Sequence, residues 1–519
     1  MTIQQKLQSK FVLRDFQADM VAKFVNVPFV LCGDDMGLGK TYEGIALDRI
    51  KRLRAGNLQT NGHRRVGTRR ARTLVVTTLT MVDTWRRELA KTMPNLKVYC
   101  IDPKNRPAFI HAVTKVLYDV YVCHWDSLRL MPELADEHWF HIIGDEIHKV
   151  KNRKAQVTRA FKMIKADHKL GLSGTPGDNR PDDLWSPLNW LYPRKFTSYW
   201  NFTKMYCESI ALESKEGNGY SKITGVRNEA HLHREMAPFF IRRRKEEVAA
   251  DLPDKYYSQV WVDLSPSQRR AYDQMRRDQL AWVGTNLDQP LAAPIVIARL
   301  IRLQQFALGQ IRIDELQKWV RNKKYDPSRP RADYDPYSHW EQNWERRLKD
   351  VTEYHIIDPS SKLDACMDLI RNTDRSVVVF TQFKDVVYNL QARLNKDKTT
   401  WCAITGDVAK PERDRAVEMF QARQRQVFIG TIGAAREGIS LTAASTEIFI
   451  DRAWSPSWNR QAEDRCHRIG QSDGVQIYDI IARNTIDLGR HQTIQQKWIW
   501  LQKLFGDKTL DYQEKMVAA

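Results

Sequence analysis

Residues 27–53 read VPFVLCGDDMGLGKTYEGIALDRIKRL. An apolar run, VPFVLC, leads into a turn with glycines at Gly37 and Gly39, then Lys40, Thr41 and the helically spaced YEGIALDRIKRL. Strand, glycine turn and helix N-terminus in this order make a phosphate cradle. The glycines let backbone N–H groups approach phosphate oxygens, Lys40 brings charge to the β and γ phosphates, and the Thr41 hydroxyl is a ligand for Mg²⁺. The common pattern G-x-x-x-x-G-K-[ST] places a glycine five positions before Gly39, where this chain has Asp34. Alone, the stretch reads either as a nucleotide site short of one glycine or as a glycine-rich turn.

Working outward, short β-branched runs recur between amphipathic stretches: VPFVLCG, RTLVVTT, VYVCHW, HIIGDE and KLGLSG, then after residue 375 SVVVFTQ, WCAITG, QVFIGT, EIFID and VQIYDII. Apolar strands alternating with helices predict parallel sheets covered on both faces, here in two α/β lobes. From about 178 to 355 strands are scarce and Trp, Arg, Glu and Gln fall at helical spacing, so this region is expected to form helical insertions. Residues 321–344, with three prolines and many charges, read as a loop or linker. A chain of 519 residues exceeds what one core serves.

Lys and Arg number 82 against 63 Asp and Glu, a formal charge of +19, which favours a polyanionic partner over mere solubility. Nine basic residues and no acidic one lie between Arg49 and Arg72. They read as a helix end followed by an exposed loop, either simply solvated or in contact with phosphates. Seven scattered cysteines without C-x-x-C spacing argue against a disulfide framework or zinc site and predict a reducing compartment. No apolar run approaches a membrane span, and the N-terminus lacks a signal-peptide core, so an intracellular protein, cytoplasmic or nuclear, is expected. His231 and His233 read as surface histidines rather than metal ligands.

Three further motifs bear on chemistry. In FHIIGDEIH an apolar strand ends in Asp145 and Glu146, carboxylates suited to holding Mg²⁺ and to orienting and deprotonating a water. LGLSGTP ends another strand, with the Ser173 and Thr175 hydroxyls. QAEDRCHRIGQ, residues 461–471, places Arg465 and Arg468 three apart on one helical face, where they read as arginine fingers or as a solvated basic helix.

These residues carry a resemblance to the Swi/Snf family of DNA translocases, within superfamily two of the helicases, over nearly the whole chain. The family loop D-E-M-G-L-G-K-T corresponds to residues 34–41, its D-E-x-H box to 145–148, L-S-G-T-P to 172–176 and Q-A-x-D-R-x-H-R-I-G-Q to 461–471. LRDFQ (13–17), TLVVTTLTMVDTWRREL (73–89), FFIRRRKEEVAADLPDK (239–255), LSPSQRRAYDQM (264–275), GISLTAA (438–444) and DRAWSPSWNRQAED (451–464) resemble its other signatures. In that family Asp34 is a marker rather than a defect. The chain departs from the pattern at Ala435-Arg436, where many members have a glycine pair, and at Ile147 in the acidic box.

The resemblance implies two RecA-like parallel-sheet lobes with helical protrusions. Lobe one, with the ATP site, would span 1–245 with an insertion at about 178–238; a linker and lobe-two protrusion 246–355; and lobe two 356–519. It implies ATP and Mg²⁺ as cofactors, with Gln17 reading adenine and Asp35, Met36, Gly37, Leu38, Gly39, Lys40, Thr41, Gly438 and Gln461 holding the nucleotide. Thr41 and Asp145 would hold the metal. Lys40, Asp145, Glu146, Arg465 and Arg468 would be catalytic. Double-stranded DNA would be gripped mainly through phosphates by Thr77, Thr78, Trp454 and the basic Arg64, Arg65, Arg69 and Arg70. The implied activity is that of a monomeric motor hydrolysing ATP to move along duplex DNA and displace bound proteins, with no membrane partner. A strand-separating or annealing helicase and a non-hydrolysing scaffold remain the alternatives at this level.

Overall fold

The computed structural model describes residues 12–57, 71–177, 179–213, 219–249, 252–278, 280–283, 289–292, 296–323, 344–435 and 438–506. Arg64, Arg65, Arg69, Arg70 and Arg436 lie outside them. The strands are, in chain order, β1 (Phe29–Cys32), β2 (Thr73–Thr77), β3 (Val98–Cys100), β4 (Val120–His124), β5 (His138–Asp145), β6 (Lys165–Leu172), β7 (Cys207–Glu213), β8 (Gly219–Val226), β9 (Phe240–Ile241) and β10 (Lys255–Val262). There follow β11 (Leu280–Val283), β12 (Gln289–Ala292), β13 (Gln310–Lys323), β14 (Trp344–Ile357), β15 (Val377–Thr381), β16 (Trp401–Ile404), β17 (Val427–Thr431), β18 (Thr446–Phe449) and β19 (Val475–Ala482).

Two sheets build the two lobes. The first has the order β3-β4-β2-β5-β6-β1-β9 and the second β10-β19-β18-β15-β17-β16. Every neighbouring pair is parallel. Parallel strands need crossovers that cover both faces, so their residues go alternately to two cores. Leu74 and Val76 of β2 join one cluster and Val75 the other; in lobe two Val377 and Val379 of β15 part from Val378 and Phe380 in the same way. All ten strands expected from the sequence are present in the sheets.

The insertions differ from the expectation. Besides helices such as Pro266–Asp278 and Val296–Leu308 they contain three antiparallel ribbons, β7 with β8, β11 with β12 and β13 with β14. Of the stretch 321–344 read as a loop, residues 321–323 and 344 extend the third ribbon, and 324–343 lie outside the described residues. The base of this ribbon is held by a period of two. Ile311 lies opposite Ile356 and Ile313 opposite Tyr354; Ile311, Ile313 and Tyr354 pack with Leu303 and Phe306 of the neighbouring helix, while Ile356 joins the lobe-two core.

The basic run between Arg49 and Arg72 is also largely internal where it is described. Arg49, Lys51, Arg52 and Arg72 are buried. Arg49 donates to the Thr92 carbonyl, Lys51 to those of Val25 and Val27, and Arg72 to Glu137. Arg52 Nε donates to Asp48 Oδ2 at 2.7 Å, while Thr73 Oγ1 and His141 Nδ1 lie 2.6 Å and 3.0 Å from Asp48 Oδ1. Burial alone would raise the Asp48 carboxyl, but Arg52, His141 and Thr73 hold it well below the usual range. This network fixes the helix Lys40–Arg54 against β2 and β5, and so sets where the glycine turn points.

The last helix, Ile486–Phe505, starts in lobe two, where Asp487 pairs with Lys362 and Arg490, and ends in the core of lobe one through Leu501, Leu504 and Phe505. His233 Nε2 donates toward the carbonyls of Lys503 and Leu504 at 3.1 and 3.0 Å, and Arg242 lies over the Phe505 ring. His231 remains exposed with its Nδ1 2.9 Å from the Tyr206 hydroxyl. Among the described residues no helix is long and apolar enough to cross a membrane.

Candidate nucleotide site between the lobes

The loops after β1, β2, β5 and β6 all emerge at the carboxyl edge of the first sheet, where ligands of open α/β sheets bind. After β1 the chain turns through Gly37 (φ 82°) and Gly39 (φ 83°), left-handed values that disfavour other residues. A Cβ on Gly39 would sit 2.5 Å from Gln17 Nε2. Gln17 Nε2 donates to the Leu38 carbonyl at 2.8 Å and its Oε1 accepts from Arg14 N–H, so Gln17 braces the loop it was expected to serve. Lys40 Nζ donates to the carbonyls of Asp34 (2.7 Å) and Asp35 (3.0 Å), which draws the ammonium into the concave side of the turn. Leu38 is buried with Phe16 and Ala249, Met36 lies beneath Gly174 of the LSGTP turn, and Thr41 is half-buried in the first helical turn.

Asp145 ends β5, its Oδ2 accepting from Thr77 Oγ1 at 2.7 Å and from Trp85 Nε1 at 2.8 Å. Glu146 follows with φ 56°, a left-handed conformation rare outside glycine and of the strained kind found at functional sites. His148 Nδ1 lies 3.3 Å from Glu146 Oε2 and 3.1 Å from Ser173 Oγ, while Thr175 N–H donates to Ser173 Oγ. Ser173 thereby links the third motif to the acidic box. Burial and the Glu146 charge push the Asp145 carboxyl up. Desolvation pushes Glu146 the same way, but His148, Lys40 and Arg465 outweigh it and hold Glu146 down. Thr41 and Asp145 offer hard oxygen donors, and the raised Asp145 marks negative charge that a cation would relieve, so the residues fit Mg²⁺.

Lobe two closes the site. Arg468 reaches the glycine turn: a Cβ on Gly37 would lie 3.4 Å from its Cγ. Arg465 is held by the carbonyls of Gln461 and Ile439 and is close enough to lower Glu146. Gln461 is buried in the helix Pro456–Glu463. Gly438 (φ 74°) faces Thr80 and Met81 of lobe one rather than the glycine turn. Among the residues expected to contact DNA, Thr77 is fully buried behind Asp145, and Thr78 is 5% exposed with its hydroxyl 3.2 Å from that of Thr80. Trp454 is half-buried, its carbonyl accepting from Lys497 Nζ.

Several contacts at the site come from residues to which the motifs assigned no role. Arg243, in the segment joining the lobes, bonds Asp34 through its backbone N–H (3.0 Å) and Nε (2.9 Å) and reaches Glu43 at 2.6 Å. Cys32, Asp34 and Glu43 converge as metal ligands do, but this guanidinium supplies the positive charge among them. Burial and Asp34 raise Glu43 to about 8. Lys245 pairs with Asp464 of lobe two at 2.6 Å, Arg460 of lobe two with Asp35 at 2.6 Å, and Lys410 of lobe two with Asp83 of lobe one. Arg243 and Lys245 lie in the segment 239–255, and their partners Asp34 and Asp464 are 209 and 219 residues away in sequence.

Residues 21–305 match a family model described as the SNF2-related domain, and residues 361–470 one described as the helicase conserved C-terminal domain. The human SWI/SNF-related matrix-associated actin-dependent regulator of chromatin subfamily A member 1 is 26% identical over 492 residues, covering 92% of this chain and 42% of that protein. The putative ATP-dependent helicase/translocase YwqA of Bacillus subtilis is 28% identical over 468 residues, covering 88% of this chain and 44% of that protein. This chain therefore spans less than half the length of these relatives. A solved structure of the Sulfolobus solfataricus SWI2/SNF2 ATPase core in complex with dsDNA aligns over 96% of this chain and 98% of that one, with a TM-score of 0.41 and 23% identity. With its first match covering more than half of the chain, and a helicase C-terminal match following in the second lobe, this protein belongs to the SNF2-related family.

Proposed function

We propose that the chain is an ATPase driven by duplex DNA, which hydrolyses ATP in the cleft between its lobes and moves along the duplex, displacing proteins bound there. The observation that carries this reading is the meeting of Lys40 and Glu146 from lobe one with Arg465 and Arg468 from lobe two at one cleft. Chemistry that needs both lobes is sensitive to their separation, which is how hydrolysis is coupled to motion.

In this reading Lys40 leaves the loop carbonyls for the β and γ phosphates, and backbone N–H groups of residues 36–41 hold the remaining phosphate oxygens. Gln17 reads the adenine edge. Glu146, held ionised by His148 and Arg465, orients the attacking water and takes its proton. Thr41 and Asp145 would hold Mg²⁺, which would neutralise phosphate charge. Arg468 and Arg465 stabilise the charge developing on the transferred phosphoryl group. The excess of basic residues and the related helicases support phosphate-based, sequence-independent DNA contacts. Trp454 and the basic Arg64, Arg65, Arg69 and Arg70 are the candidates for these, in a monomer working inside the cell.

The test is ATP turnover with no nucleic acid, single-stranded DNA, blunt duplex DNA and RNA, alongside triplex displacement. Duplex alone is expected to stimulate turnover, and the third strand to be removed without separating the duplex. Turnover indifferent to blunt duplex, or unwinding without triplex displacement, would replace this reading with the strand-separating one.

A further inference from the structure

Asp34 and Asp35 are consecutive residues of the phosphate loop, yet their carboxylates are held by different parts of the molecule. Asp34 is bonded by Arg243 of the connecting segment, Asp35 by Arg460 of lobe two. Arg460 Nη2 lies 2.6 Å from Asp35 Oδ2, with the Asp35 side chain 1% exposed and that of Arg460 15%. Arg242 stands 3.6 Å from Asp35 Oδ1, and the Lys245 N–H donates to Oδ2 at 3.2 Å. Of these partners Arg460 alone moves with lobe two.

The backbone of the same aspartate faces the nucleotide side. The Asp35 carbonyl accepts from Lys40 Nζ at 3.0 Å and from the Leu38 N–H at 3.4 Å. One residue thus connects the lobe-two arginine, through its side chain, to the loop lysine, through its main chain. A carboxylate this withdrawn from water requires a nearby cation, so its position follows that of its partner. Arg460 is itself fixed from a second direction, its guanidinium lying 4.9 Å from the centre of the Trp498 ring of the last helix. Lys245 adds a second tie across the same gap through Asp464, and Lys245, Arg460, Asp464 and Trp498 help wall a cavity of about 310 Å³. Arg460 precedes Gln461 and lies outside the arginine-finger motif.

We propose that Arg460 is a positioning residue, which passes the position of lobe two through the Asp35 carboxylate, and from the Asp35 carbonyl to the Lys40 ammonium, so that the phosphate loop is set for turnover only when the lobes are closed. The inference rests on the ATPase reading above.

The test uses the full chain and compares Arg460→Gln, Arg460→Lys, Asp35→Asn and the double variant Arg460→Gln/Asp35→Asn. The readouts are kcat and KM for ATP with saturating duplex, affinity for a fluorescent ADP analogue, and melting temperature. Arg460→Gln is expected to lose about tenfold in kcat, within the range of ordinary coupling between sites, with KM and analogue affinity changed less than about twofold. Arg460→Lys should recover most of the rate, and the double variant should be no slower than the slower single one. Losses that multiply in the double variant, or an Arg460→Gln rate equal to wild type, overturn the proposal. If Arg460→Gln does not fold, Asp35→Asn decides: it must lose about tenfold, and adding Arg460→Lys must cost nothing further. Wild-type protein that binds the analogue but turns over no ATP under any condition refutes the ATPase reading itself; wild-type turnover with an unaffected Arg460→Gln refutes only this inference.

Discussion

Thr77 Oγ1 donates a 2.7 Å hydrogen bond to Asp145 Oδ2, so the end of β2 supports the acidic residue at the end of β5. Sequence reading placed Thr77 on the DNA; the structure places it behind the nucleotide site at 0% exposure. Thr77→Val keeps the shape and removes the donor. A hydrogen bond to a charged group contributes about 1.5–3 kcal/mol, so a loss of roughly tenfold or more in kcat is expected. Duplex affinity and its salt dependence, measured by fluorescence anisotropy, should not change.

Glu146→Gln tests the water-activating role. It removes the base while keeping the shape and the neighbours His148 and Ser173. Turnover should fall by about 10²–10⁴-fold while the ADP analogue still binds. Lys40→Ala, in contrast, should weaken binding of the analogue itself, which equilibrium titration would separate from a defect in chemistry alone.

Leu504 lies fully buried in the lobe-one core at the far end of a helix that begins in lobe two. Leu504→Ala should destabilise the protein by about 2–5 kcal/mol. Hydrogen exchange should then rise in the helices Trp185–Leu191 and Glu229–Met236 as well as in the last helix, because they share that core.

Two buried histidines make stability depend on pH. Burial, then Lys255 and Lys245, lower His467 to about 4; burial, against Asp479 and with Arg452, lowers His491 to about 4. In the unfolded chain both take up protons near pH 6.5. Between the two values the unfolded state binds more protons, so their contribution is whole above about 6.5 and is lost as pH falls toward 4. The melting temperature should drop over that window, and the drop should be shallower in His491→Gln.

How much could be read in advance follows from local spacing. The alternating apolar runs of β1, β2, β4, β5 and β6, and of β15 to β19, carry their own boundaries in Gly, Asp, Ser and Thr, so the two sheets were legible. β3, β9 and β10 were not: three and two residues are too few to show a period in the first two, and β10 lies inside the stretch read as helical insertion. β13 and β14 were masked by charged residues whose spacing also suits a helix; the pairing of Ile311 with Ile356 exists only once the strands meet. At the site, Lys40, Asp145, Glu146, Arg465 and Arg468 were marked by motifs. Arg243 and Arg460 fell inside signature stretches but were given no role, because an arginine acquires its role from a carboxylate that folding brings to it. The buried Arg49, Lys51, Arg52 and Arg72 show the converse: a run of basic residues need not be a surface.

The last helix changes the mechanics of the molecule. The chain leaves lobe one through the connecting segment, builds lobe two, and returns to lobe one at Leu501, Leu504 and Phe505. Two bodies joined by one strap can swing in any direction, whereas two straps form a closed linkage that favours rotation about the line between them. The two straps meet lobe one side by side, where Arg242 lies over the Phe505 ring, so a relative movement of the lobes would bend both straps together.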